Sequence, residues 1–115
     1  MSDNPCKKCP GEISIDWFVG FFEGEGCFEG HRFSAVLTVS QKEKSLLERI
    51  RKWLWEEHGI YSGIYTRSNK WGATSRLAVW RKSSLREIVE WMEPRLISER
   101  RRAQLKKWKK EYLNA

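Results

Sequence analysis

The sequence has only three cysteines, no long apolar run, no internal repeat and no low-complexity segment. Each shortage narrows the reading. An odd cysteine count, with no other mark of an oxidising compartment, argues against a disulfide framework. No apolar stretch approaches the roughly 18 residues of a membrane span, so no membrane partner is expected. The opening residues, MSDNPCKKCPGE, are polar and lack the apolar centre of a secretory signal. The expected location is intracellular: cytoplasm, nucleoid or an organelle. Cys6 and Cys9 form one CxxC pair, but a structural zinc needs four ligands. No second pair exists, and only Cys27 and His31 lie near, so no zinc is expected at Cys6 and Cys9.

What is present is a chain of 115 residues, enough for one domain with a modest core. Residues 1–12 read as a short arm and residues 13–115 as the domain. Lys and Arg number 22 against 15 Asp and Glu, a formal net charge of +7. That excess favours a polyanionic partner.

The periodicity alternates between helix and strand. From Ile15 to Phe22 the pattern is apolar on every side, with Ser14 or Asp16 as the cap. Phe18 and Phe22 suit the chain's own core. Trp17, Gly20 and Gly24 make a second stripe that needs another partner. Gly inside a helix costs about 1 kcal/mol against Ala, and close approach of a second backbone is a reason to find it there.

A hairpin follows, Cys27–Glu29 and Phe33–Ser40, with its turn expected near Gly30–His31. Phe33, Ala35, Leu37 and Val39 share one face; Ser34, Val36, Thr38 and Ser40 share the other. Residues 42–58 return to helical spacing through Leu46, Leu47, Ile50, Trp53 and Leu54, and Gly59 stops them. A second hairpin, roughly residues 61–67 and 74–81, turns around SNKWG. Leu85, Ile88, Val89 and Met92 mark a third helix, ended near Pro94. A basic helix is expected from Ile97 to Tyr112, with Leu105, Trp108 and Tyr112 as its stripe and Arg102, Lys106, Lys109 and Lys110 opposite. The fold class is therefore α+β, in the order α-β-β-α-β-β-α with a final helix. Two hairpins would form one four-stranded antiparallel sheet, helices on one face and the other face open.

The chemistry centres on Glu23 and Glu25, in FVGFFEGEG, residues 18–26. A helix C-terminus carries partial negative charge, so carboxylates there are disfavoured by roughly 0.3–1 kcal/mol unless something compensates. A solvated turn is the bland alternative.

FVGFFEGEG resembles the nine-residue signature of the LAGLIDADG homing endonucleases. Phe18 and Val19 stand for Leu-Ala, Gly20 for the first Gly, Phe21 and Phe22 for the apolar pair. Glu23, Gly24, Glu25 and Gly26 stand for the closing Asp-Ala-Asp-Gly. The element order is that of one unit of this family. The resemblance continues at VSQKEKSLLERI, residues 39–50, and at EPRLISERRRAQL, residues 93–105.

The resemblance implies a saddle-shaped sheet that binds double-stranded DNA and a pair of motif helices packed through small residues. Trp17, Gly20, Phe21, Glu23 and Gly24 would then lie at a homodimer interface, with Glu23 holding the partner's helix end. One motif per chain requires two copies, carrying together about +14 and reading a pseudo-palindromic site. Glu25 from each copy would bind Mg²⁺ or Mn²⁺, with the Gly24 carbonyl as a further ligand. Gln41 would position water near the phosphate, or else cap the next helix, and Lys42 would touch the backbone. Two departures stand out. Both motif acids are Glu, and the usual catalytic Lys slot holds Glu99, with Arg100 one residue on.

The open sheet face supplies candidate base readers: Glu29, His31, Arg32, Ser34, Thr38, Arg67, Lys70 and Arg76. The resemblance implies an intron- or intein-associated, site-specific DNA endonuclease. The alternatives are a DNA-binding regulator or an RNA-splicing maturase that has lost cleavage, with RNA as the maturase's partner, and a generic basic domain.

Overall fold

The computed structural model describes residues 13–32 and 34–113. The CxxC arm, Cys6 and Cys9 included, lies outside the described residues. Helix α1 spans Ile15–Glu25. Ser14 caps it, its Oγ accepting a hydrogen bond from the Trp17 N–H at 3.0 Å. Phe18, Val19 and Phe22 are buried.

Strands β1 (Gly26–His31) and β2 (Ser34–Gln41) form the first hairpin. Its reversal comes two residues later than expected. His31 pairs with Ser34, and Arg32 takes the left-handed φ of 58°. Gly30 is not a turn residue. It lies in β1 beneath the Tyr112 ring, where an added Cβ would sit 2.1 Å from Tyr112 Cζ. A glycine read as a turn signal is here a packing requirement.

Helix α2 (Lys44–His58) begins two residues after the expected start and ends at Gly59, with φ 65°. Leu46, Leu47, Ile50 and Leu54 are its buried stripe. Strands β3 (Gly63–Asn69) and β4 (Gly72–Val79) make the second hairpin. β2 and β4 join the two hairpins, with Leu37 opposite Val79 and Ser40 opposite Arg76. The sheet order is β1-β2-β4-β3, all antiparallel.

Helix α3 spans Lys82–Met92. The basic tail is not one continuous α-helix. Helix α4 runs Glu99–Trp108, and residues Lys109–Leu113 widen into a π-helical turn. Leu105, Trp108 and Leu113 are buried. The Trp108 indole N–H donates to the Glu29 carbonyl at 2.7 Å, tying α4 to β1. Two cations of the basic face are engaged: Arg102 Nε donates to the Leu96 carbonyl at 2.8 Å, and Lys109 pairs with Glu93 at 2.8 Å.

The core lies between the helices and one sheet face. Ala35, Leu37 and Val39 of β2 and Leu77 and Val79 of β4 meet Phe18, Phe22, Leu47, Ile50, Leu85 and Ile88 there. Among the described residues no helix is long and apolar enough to cross a membrane.

Candidate acidic site and nucleic-acid interface

Helix α1 ends where it delivers its two carboxylates, and the two end in different surroundings. Glu23 turns back into its own chain. Its Oε2 accepts the backbone N–H groups of Ile97 at 2.8 Å and Ser98 at 2.5 Å. These residues precede α4, so the carboxylate also meets the positive end of that helix. Within the chain, Glu23 thus clasps the start of α4 to the end of α1.

Arg101 completes the clasp from α4. Its Nε donates to the Glu23 carbonyl at 3.0 Å, and one terminal nitrogen donates to the Gly26 carbonyl at 2.7 Å. The other meets Gln104 Oε1 at 3.0 Å. A helix end leaves carbonyls without internal partners, and a guanidinium here satisfies two and offsets the negative pole. Arg101 thus contacts the end of α1 directly. Arg100 lies in a cleft along β1 that also includes Cys27, Gln104 and Lys107. Helical spacing carries this signal, because Arg101 precedes buried Leu105 and Trp108 by four and seven.

Glu25 is exposed, and among the described residues it has no hydrogen-bond or ion-pair partner. Gly26 lies opposite Val39, so Glu25 reaches the same end of the sheet as Gln41, the last residue of β2. Among the described residues, nothing lies within 4 Å of a Cβ added at Gly20 or Gly24. Trp17 and Phe21, stacked on each other with ring centroids 5.1 Å apart, stay only partly buried beside them.

The open sheet face carries most of the expected polar side chains. His31, Ser34, Arg67 and Arg76 are exposed, as are Lys42 before α2, Arg32 in the first turn and Lys70 in the second. Lys70 Nζ lies 4.6 Å from the Trp71 ring centroid. Thr38 corrects the reading: it is 2% exposed and donates to Glu29 Oε2 at 2.9 Å. β2 is an inner strand, so its neighbours' long side chains close over a short one. Glu29 also approaches Arg76 at 3.7 Å. Desolvation, then the Glu29 charge, pushes the Cys27 thiol above its ordinary pKa, so it is no thiolate at neutral pH.

A profile of the LAGLIDADG-like domain matches residues 12–92, most of the chain. The chain belongs to the LAGLIDADG-like domain family. Among solved structures, the homing endonuclease I-TnaI is 22% identical with a TM-score of 0.63, covering 86% of this chain and 71% of its own. I-CvuI, solved with its target in the presence of Ca, is 26% identical with a TM-score of 0.58 over 80% of this chain and 60% of its own. I-GzeII, solved with a DNA target, gives 20% and 0.68, over 95% of this chain but only 38% of its own. No curated protein sequence matches the chain.

Proposed function

We propose that the chain acts as a homodimeric, site-specific DNA endonuclease that hydrolyses both strands of a pseudo-palindromic duplex with a divalent metal. The observation that carries this reading is that, among the described residues, Glu25 has no partner and the glycine stripe of the same helix meets no neighbour. Among the described residues no cluster of three or more His, Cys, Asp or Glu side chains is placed to hold a metal. One chain thus offers half a site: the Glu25 carboxylate and the Gly24 carbonyl. Both are hard oxygen donors of the kind Mg²⁺ and Mn²⁺ take.

A second copy packed on Trp17, Gly20, Phe21 and Gly24 brings a second Glu25 alongside. Two carboxylates that close repel, and each would rise in pKa. Glu25 and the Gly24 carbonyl of each copy would hold a divalent metal there, which would supply neutralising charge and Lewis-acid chemistry toward the phosphate and water. Within the chain, Arg101 and Glu23 fix the backbone on both sides of Glu25. The Gln41 side-chain amide, at the same end of the sheet, orients the attacking water. The open face seats the duplex, with Arg76 and Arg67 as base or phosphate contacts and Lys42 on the backbone.

The decisive experiment mixes the protein with a duplex library and Mg²⁺ and maps both cut strands. Glu25→Gln is expected to lower cleavage at least about a hundredfold with duplex affinity retained. Equal cleavage by Glu25→Gln, or none by the wild type on any duplex, overturns the reading. One observation favours a second: the slot expected to hold Lys holds Glu99, and Arg101 beside it is committed to three acceptors. That suits a cleavage-deficient DNA-binding regulator or RNA-splicing maturase. Salt-sensitive duplex binding without metal-dependent nicking selects the regulator. Preference for structured intron RNA selects the maturase.

A further inference from the structure

The outer edge of the sheet carries a feature that the reaction does not use. Trp55, Tyr61 and Tyr65 are 60%, 51% and 57% exposed. They line one groove of about 820 Å³ between α2 and the edge strand β3. Arg51 and Lys52 line it too, one turn before Trp55 on the same face of α2, against Glu48 as the carboxylate there. Arg81 adds a cation 5.9 Å from the Tyr61 ring, and Tyr61 meets Trp80 edge-on at 5.6 Å. Gly63 keeps the floor low: an added Cβ would lie 3.1 Å from Tyr65 Oη and 3.2 Å from Trp80.

Exposing three large aromatics in one concavity is costly without an occupant. Aromatic faces interleaved with cations stack bases and neutralise phosphates, whatever the sequence. Tyr65 joins this groove to the open face, because it also lines the depression formed by Ser40, Arg67, Thr74 and Arg76. A strand leaving a duplex on that face would reach the groove at Tyr65.

We infer that the groove between α2 and β3 binds single-stranded DNA continuous with the duplex on the open face. Its continuity with a duplex rests on the proposed function; the stacking chemistry does not. The test is fluorescence anisotropy of the full chain with a labelled oligo(dT) of about 12 nucleotides and, separately, with duplex, in EDTA. Trp55→Ala, Arg51→Glu and the double variant Trp55→Ala/Tyr61→Ala are each expected to weaken single-strand binding about tenfold or more. Duplex affinity stays within about twofold, because the duplex seats on the open face. Circular dichroism checks that the variants fold.

Unchanged oligo(dT) binding in the double variant overturns the inference. So does an oligo(U) RNA held about tenfold more tightly than oligo(dT), which assigns the groove to RNA. Loss of self-association in Trp55→Ala assigns it to a second copy and overturns it equally. Groove-dependent single-strand binding without any duplex binding sinks the endonuclease reading and supports the groove.

Discussion

Gly26 and Gly30 differ from Gly20 and Gly24 in what surrounds them. The first two are filled by the chain's own rings: an added Cβ at Gly26 would lie 2.0 Å from the buried Phe22 ring, and one at Gly30 would strike Tyr112. The second two meet no neighbour among the described residues. The same residue type, within eleven positions, closes one packing surface and leaves another bare. The difference separates glycines that the chain's own packing requires from glycines on a surface that packing leaves uncovered among the described residues.

The sharpest way to break that comparison is Gly26→Ala. Phe22 is fully buried and its ring has nowhere to go, so about 3 kcal/mol of stability should be lost, read by urea unfolding. An unchanged midpoint would mean that the ring gives way, and that the filled glycine is no tighter than the bare one. Glu23→Ala should cost less, about 2 kcal/mol, by stripping two backbone N–H groups of a charged acceptor. Faster amide hydrogen exchange at Ile97 and Ser98 would mark the loss at the clasp itself. The smallest effect has the opposite sign. Gly20→Ala should stabilise the isolated chain by about 1 kcal/mol, because its Cβ meets nothing among the described residues and Ala favours helix. The same change should weaken self-association about tenfold or more if the bare stripe is a close helix-helix contact, measured by sedimentation. Wild-type self-association in Gly20→Ala would leave that stripe without its partner.

Much of the fold was legible because its signals are local. Ser14 as a cap, Gly59 as a stop and the stripes of α2 and α3 depend on residues a turn or two apart. The helix-strand order follows from the change of period along the chain, and the FVGFFEGEG match drew attention to Glu25. The turn of the first hairpin was misread because a strand glycine and a turn glycine look alike in sequence. Only Tyr112, 82 positions on, distinguishes them at Gly30. Thr38 was assigned to the open face by alternation, which holds, but alternation does not report that Glu29 closes over it.

The acidic motif divides the same way. Sequence by itself determined an α1 that ends in two carboxylates, an apolar helix too greasy for one core, and a basic chain suited to a polyanion. These are properties of composition and period. Tertiary structure alone decided that Glu23 accepts from Ile97 and Ser98, that Arg101 bonds to the helix end, and that Glu25 has no partner among the described residues. Three successive arginines differ by about 100° of helix rotation each, so which one meets α1 depends on how Leu105 and Trp108 seat α4 against β1. Hydrogen bonds 74 to 78 residues apart are set by that packing, and no local pattern encodes them.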